Sequence, residues 1–326
     1  MDAAQVVVVG SYNQDYAWRI DVAPQAGETR RGEDFRSAPG GKGMNQAIAC
    51  ARQGAATAFV GALGDDAAGH GAQELARAEG IAAHWLVRDD AATGSACILV
   101  EASGQNRIIV ALGANERLDA AFVRAQAGVF ARSRVLLAQL ENNIDATRAA
   151  FELASAHGLI RVLNPAPVHA QLDAALLANV DILTPNENEF SVLLERLHGE
   201  RIDADSLAQR SDADLHALAR KLGVGSVVVT LGSQGCFVSH DDGERRGDAQ
   251  AHYRVGAEPV KVIDTTGAGD AFSGALAAGL LRLAGRPFRE IVLHANRCAA
   301  LSTEQRGAAD AMPRFEAVAA RFGATG

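Results

Sequence analysis

Asp264-Thr-Thr-Gly-Ala-Gly-Asp270, running on into Ala271-Phe-Ser-Gly-Ala-Leu-Ala-Ala-Gly-Leu280, is the stretch that decides how this chain is read. A short strand-like segment, Val260-Lys-Val-Ile263, precedes it. Two glycines let the backbone turn tightly and leave amide N–H groups bare, and a helix then begins whose first N–H groups face that loop. The helix dipole adds partial positive charge there, so the junction suits a phosphate. Asp270 stands at the same spot. A carboxylate there would repel a phosphate unless it had a task, and accepting a proton from an attacking hydroxyl is the obvious one. The competing reading is a plain N-cap. A dinucleotide fingerprint needs a third glycine at position 272, which is Phe. A Walker loop at Gly41-Lys42 fails as well, because Gly43 follows where Ser or Thr is needed and Arg36 occupies the first glycine position.

Working outward, strand-like and helical segments alternate along the 326 residues. Gln5–Val9 reads as a buried parallel strand, and Gly43–Gly54 as a helix with Ala47, Ile48 and Ala51 on one face. Further strands are expected at 57–61, 135–140, 161–164, 181–184 and 227–231, and helices at 68–79, 146–157, 188–197, 271–283 and 288–302. This alternation predicts an α/β fold with a central, mostly parallel sheet flanked by helices on both faces, in one domain spanning 1–326. Segments at about 12–38 and 92–112 break the alternation and predict a small antiparallel sheet projecting as a lid, with a hairpin split at Ser103-Gly104. The polar stretch His198–Asp214 reads as a solvated surface excursion.

Composition narrows the function classes. Hydrophobic content of 48% supplies a core, and aromatics at 5% favour close helix-on-sheet packing by small residues. A net charge of −8 argues against an extended nucleic-acid surface. Cys50, Cys97, Cys236 and Cys298 are scattered and read as reduced thiols, with no His or Cys spacing for a metal site. The acidic N-terminus (Asp2) and the short Val6–Val9 run do not read as a signal sequence, and no stretch reaches the length of a membrane span. The expected location is the cytoplasm.

Polar clusters follow the predicted strand ends, where open α/β sheets hold ligands. Asn13 and Asp15 in an extended segment point the same way and suit a vicinal diol, with an Asx-turn as the plain alternative. Gly40, Gly41 and Gly43 read as permitting close approach of a small ligand, with Lys42 and Asn45 able to bond its oxygens. Gln139-Leu-Glu141, Asn164-Pro-Ala-Pro167 and Thr184-Pro-Asn186-Glu-Asn-Glu189 follow. Acidic residues such as Glu187 and Glu189 in a first helical turn also serve simply as capping features.

In their order, these segments, with Gly27-Glu-Thr29, Gly64 to Gly69, Gly113-Ala-Asn115, Thr230-Leu-Gly-Ser-Gln-Gly235 and the 264–270 stretch, resemble the ribokinase-like family of sugar and nucleoside kinases over nearly the whole chain. The GGKGxNQA segment and the 264–270 stretch are that family's diagnostic signatures. The resemblance implies that Asp270 is the catalytic base, with the N–H groups of Gly267, Ala268 and Gly269 as the anion hole. It implies sugar binding by Asn13, Asp15, Gly41, Lys42, Gly43, Asn45 and Glu141. Asn186, Thr230, Gly232, Ser233, Gly235, Gly269 and Asn296 would line the ATP site. Glu189, with Asn186, would serve Mg²⁺ indirectly. Asp264 and the carbonyls of Thr266, Ser302, Gln305 and Gly307 would hold K⁺, with Ala311 where the family often has a ligating Ser. Met44 replaces a smaller residue, and Tyr12, Tyr16 and Trp18 make the lid more aromatic than usual.

The expected reaction is ATP-dependent phosphorylation of the 5-hydroxyl of D-ribose, by a homodimer joined through the lid. Neither nucleic acid nor membrane is an expected partner. The alternatives are a deoxyribose or nucleoside kinase of the same family, and a catalytically inactive sugar-binding protein on this scaffold. A nicotinamide oxidoreductase lacks the needed glycine spacing at Gly10-Ser-Tyr-Asn13.

Overall fold

The computed structural model describes residues 5–103, 106–243 and 245–323, so the expected turn glycine Gly104 lies outside the described residues. The strands are β1 (Gln5–Val9), β2 (Asn13–Ile20), β3 (Glu33–Gly40), β4 (Ala56–Gly64), β5 (Ala82–Arg88), β6 (Gly94–Glu101) and β7 (Asn106–Ala111). They continue with β8 (Ser133–Ala138), β9 (Ile160–Leu163), β10 (Ile182–Leu183), β11 (Ser226–Thr230), β12 (Cys236–His240) and β13 (His252–Val255). Nine of them form the main sheet, in the order β13-β12-β11-β10-β9-β8-β1-β4-β5. It is parallel from β11 to β5, and β12 and β13 add an antiparallel edge.

The helices are α1 (Lys42–Arg52), α2 (Ala67–Ala78), α3 (Ala120–Ala125), α4 (Ala127–Arg132), α5 (Ile144–Ala156), α6 (Ala174–Leu177), α7 (Glu187–His198), α8 (Asp212–Lys221), α9 (Ala268–Arg282), α10 (Phe288–Ser302) and α11 (Phe315–Phe322). Two apolar layers sandwich the sheet. Val7 and Val9 face a layer that includes Phe151, Phe190 and Leu215 of α5, α7 and α8. Val6 and Val8 face the other, with Ile48, Leu276 and Val292 of α1, α9 and α10. Both faces of β1 are therefore dry, which is why its sequence is an unbroken valine run.

The second sheet has the order β3-β2-β6-β7. Its outer pairs are antiparallel, as the sequence suggests, whereas the central β2–β6 pair is parallel. Asn13, the first residue of β2, pairs with Gly40 at the end of β3 and with Gly94 at the start of β6. All three strands thus converge on the rim of the main sheet.

One expected strand is missing. Val260–Ile263 is not a strand. Val262 and Ile263 are 58% and 53% exposed, and the Ile263 N–H donates to Thr303 O (2.8 Å), past the end of α10. Its β-branched residues have no strand edge to join, so propensity alone does not fold it. The excursion 198–214 is largely exposed, as expected, but it is not structureless. It contains a 3-10 turn, Ala204–Gln209, that buries Leu207, and Arg254 ties it down through Asp212 (2.7 Å) and the carbonyls of Ala208 and Arg210.

The contact that places the site is between α1 and α9. A Cβ at Gly274 would stand 2.5 Å from Ala49 Cβ and 2.6 Å from Gln46 O. Cys50 Sγ donates to Gly274 O (3.2 Å) at the same crossing. Gly274→Ala should cost about 1–3 kcal/mol in urea unfolding, the usual penalty of overpacking. Gly71→Ala, on an exposed turn of α2 with nothing within 4 Å, should instead stabilise by about 0.5–1 kcal/mol. Equal effects of the two would contradict the close crossing.

Candidate active site

The polar clusters after β1, β8, β9, β10 and β11 meet at one rim of the main sheet, opposite the N-terminus of α9. Gly267 caps that helix at φ 76°, and a Cβ there would lie 2.9 Å from Ala308 Cβ, so only glycine fits the turn. Of the three N–H groups expected to form an anion hole, that of Ala268 is committed to Thr265 O (3.2 Å). A tight turn between Thr265 and Ala268 takes it away. The N–H groups of Gly267 and Gly269 have no acceptor among the described residues. Beside them Asp270 is buried, its Oδ2 accepting from Asn45 Nδ2 (2.9 Å) and its Oδ1 from Gln46 Nε2 (2.9 Å). It caps nothing, so the N-cap reading does not hold.

The glycine loop before α1 has a different physical basis from the one expected. Gly41 has φ 85°, and its Cβ would lie 2.6 Å from Asn13 N; a Cβ on Gly43 would lie 2.4 Å from Ser11 N. These glycines let the loop lie against the β1–β2 turn, rather than leaving space for a ligand. Gly40 faces the Asp15 carboxylate in the same way. Glu141 fastens the two segments, accepting from Ser11 Oγ (2.7 Å) and Lys42 N (2.9 Å) through Oε2. Asn13 is buried, with Oδ1 accepting from Asn115 Nδ2 (3.0 Å). Asn115 also accepts from Tyr12 N (3.1 Å). Asn45 Oδ1 is buried and without a partner.

A cleft of about 150 Å³ brings Lys42, Asn164, Asn186, Glu189, Thr230 and Asp270 together, with Gly267 and Gly269 also in its wall. Asn186 and Glu189 form a reciprocal capping box at the start of α7, Asn186 N donating to Glu189 Oε2 and Glu189 N to Asn186 Oδ1, each at 2.9 Å. Gly232 and Ser233 border a neighbouring hollow of about 350 Å³, whose other wall is the 204–209 turn. Gly235 (φ 85°) closes the 232–235 turn. Asn296 borders neither cavity, its Nδ2 donating to Gly256 O (2.7 Å) beyond β13.

Asp264 ties two loops together. Its Oδ1 accepts from Thr266 N (2.9 Å) and Thr266 Oγ1 (2.7 Å), and its Oδ2 from Gly307 N (3.0 Å). Partial burial opposes its ionisation, but these donors hold its carboxyl below the usual range. The Ser302 carbonyl accepts from Gln305 N (3.3 Å).

Charge is concentrated around the cleft. Burial, then Glu141 and Asp270, push the Asp15 carboxyl up to about 7. Asp270 foremost, with Glu141 and Glu189, holds Lys42 above the usual lysine range against the effect of burial. Burial raises Glu189 despite the Asn186 N–H and the nearby Lys42 charge. One cation among several carboxylates thus marks where polar and anionic groups would meet.

Gln46, Asn115 and Gln139 lie in segments that the sequence singles out, but it assigns them no role, and all three are in direct contact with this machinery. Gln46 follows Asn45 on a helix, where neighbours point about 100° apart, yet both reach Asp270 because α1 crosses α9 so closely.

The chain is similar to known proteins over nearly its whole length. Residues 3–314 match the pfkB family of carbohydrate kinases. A ribokinase of Schizosaccharomyces pombe is 34% identical over 327 residues, covering 97% of each chain. The solved ribokinase of Giardia lamblia superposes with a TM-score of 0.86 at 30% identity, covering 98% of each chain. That of Arabidopsis thaliana, complexed with ribose and ATP, superposes at 0.80 with 29% identity, covering 97% of each.

The raised Asp15 carboxyl has a pH signature. Between its ordinary value of 3.8 and about 7, the folded chain binds more protons than the unfolded one. Stability therefore falls as pH rises through that window. Asp15→Asn removes this titration, so the drop in urea midpoint from pH 4.5 to 7.5 should shrink. An unchanged drop would mean that Asp15 is not the group responsible.

Proposed function

The chain belongs to the pfkB family of carbohydrate kinases, and we propose on that premise that it transfers the γ-phosphoryl group of ATP to the 5-hydroxyl of D-ribose. It is a phosphotransferase with an alcohol group as acceptor. The observation that carries the mechanism is the Asp270 carboxylate, clamped by Asn45 and Gln46 beside the open N–H groups of Gly267 and Gly269. The names of the relatives, and the ribose and ATP held by the Arabidopsis protein, support ribose as acceptor.

Phosphoryl transfer needs mainly positioning and charge stabilisation. Asn13, Asp15, Gly41, Lys42, Gly43, Asn45 and Glu141 form the sugar side. Asn45 Oδ1, buried and unpartnered, is an acceptor for a sugar hydroxyl. Asp270 takes the proton as that hydroxyl attacks the γ-phosphorus and the bond to the leaving ADP oxygen breaks. The N–H groups of Gly267 and Gly269, with Lys42, receive the charge on the phosphoryl oxygens. Asn186, Thr230, Gly232, Ser233 and Gly235 form the nucleotide side, and Asn296 orders its far edge through Gly256.

Magnesium fits Glu189, whose Oε2 is engaged by Asn186 N while its other oxygen has no protein donor among the described residues, free to hold a hydrated ion with substrate phosphates. It would neutralise phosphate charge. Potassium fits the hard oxygens of Asp264, Thr266, Ser302, Gln305 and Gly307, to which Ala311 adds none. The chain acts as one α/β unit with a lid from about 12–38 and 92–112. Phe35 (57% exposed) and Ile109 (70% exposed), with Ile108 and Val110, give that lid an apolar surface suited to homodimerisation. Four unpaired cysteines suit the reducing cytoplasm.

A coupled ADP-release assay across ribose, deoxyribose, fructose and adenosine should rank ribose first. Adenosine ranking first would favour the nucleoside alternative, in which Tyr16 and Trp18, packed on Phe35, stack on a base. Binding of ribose without ADP release would favour an inactive binding protein. Asp270→Asn should lose about 10²–10⁴ in kcat, the scale of a general base; a loss of only a few-fold would remove Asp270 from that role. Asn13→Ala and Asp15→Ala should raise KM for ribose more than for ATP, and equal losses would contradict the diol assignment.

A further inference from the structure

Asp270 is held from behind by a buried amide relay. Gln46, with no exposed surface, donates both hydrogens of Nε2: one to Asp270 Oδ1 (2.9 Å) and one to Asn164 Oδ1 (3.0 Å). Its Oε1 accepts from Gln139 Nε2 (2.6 Å). Asn164 in turn donates to Thr184 O (2.8 Å), and Thr184 Oγ1 lies 3.2 Å from Ser273 Oγ, one turn along α9 from Asp270. The chain of contacts therefore leaves α9 at Asp270 and returns to it at Ser273. Gly10 makes room for its outer end, since a Cβ there would fall 2.1 Å from Gln139 Oε1.

We infer that Gln46 is a positioning residue for the proposed base: it fixes Asp270 Oδ1 so that Oδ2 is the oxygen turned to the acceptor hydroxyl. The inference rests on the reading of Asp270 given above. Its first support is the asymmetry of the two clamps. Asn45 keeps an unpartnered Oδ1 for a substrate, whereas Gln46 has every polar atom engaged by protein. Its second support is the direction of the relay. Only an amide can give two hydrogens to two oxygen acceptors while accepting a third bond from Gln139. A reversed Gln46 amide would set oxygen against the oxygens of both Asp270 and Asn164, so these acceptors set the orientation of Gln46, Gln139 supports it by donating to Oε1, and Gln46 in turn holds the carboxylate plane. The network is open at its outer end, where Gln139 Oε1 is buried without a partner, but around Gln46 every bond is made, and losing one there is expensive.

The test is a comparison of Gln46→Met, Gln46→Glu, Gln139→Glu and Asp270→Asn by steady-state kinetics and pH profile. Gln46→Met preserves length and removes both donors. It should lower kcat about 10–100-fold, the cost of a displaced reacting group, with KM for ribose changed less than about threefold. Gln46→Glu sets a second carboxyl against Asp270 and should move the acid limb of the kcat/KM profile upward by about one unit or more. Gln139→Glu removes the donor that supports Gln46 and should move kcat in the same direction by a smaller factor. If the Gln46 variants do not fold, Gln139→Glu decides alone. Wild-type kcat and an unmoved acid limb in the folded variants, alongside an inactive Asp270→Asn, would overturn the relay and leave the base in place. An active Asp270→Asn would instead overturn the underlying reading.

Discussion

The approach of α1 to α9 at Gly274 and Ala49 is the constraint from which the rest follows. Without a side chain at 274 the two helices lie nearly backbone to backbone. Asn45 and Gln46, at the start of one helix, then reach the third residue of the other. The carboxylate and its clamps thus come from opposite ends of the sequence, and neither helix could form the site alone. The same helices bury Ile48 and Leu276 against β1, so core packing and placement of the proposed base are one event.

Much of this was legible in the sequence, for a physical reason. A parallel sheet buried on both faces writes itself as apolar runs such as Val6–Val9, ending in polar or glycine residues at the ligand-bearing rim. The 264–270 stretch likewise announces a tight turn entering a helix. What stayed hidden depends on contacts between distant segments. Gly41 and Gly43 are glycines because Asn13 and Ser11 stand against them, and local composition carries no trace of that pressure. Gln46 stands inside the GGKGxNQA segment, yet its reach to Asp270 depends on a helix crossing that the segment does not show. Val260–Ile263 carries the residues of a strand and lacks a strand to pair with, and in the largely exposed 198–214 segment local composition does not show that Leu207 is an anchor.

The electrostatics follow from the crowding of carboxylates. Glu141, Glu189 and Asp270 act on Lys42, and Asp15 stands beside Glu141 and Asp270. Such a cluster is costly at rest and becomes favourable only when further cations and hydroxyl donors enter. Stability is given up locally where chemistry requires charge, and the dry layers on both faces of the sheet offset it.

The small sheet meets the body at Asn13, which is in register with Gly40 on one side and Gly94 on the other. Those three residues form the seam between the two sheets, and the amide at its centre belongs to Asn13, one of the proposed sugar ligands. A sugar held in the proposed way would therefore touch the root of the small sheet and not its far edge, so one buried amide would serve both the joining of the two sheets and the ligand.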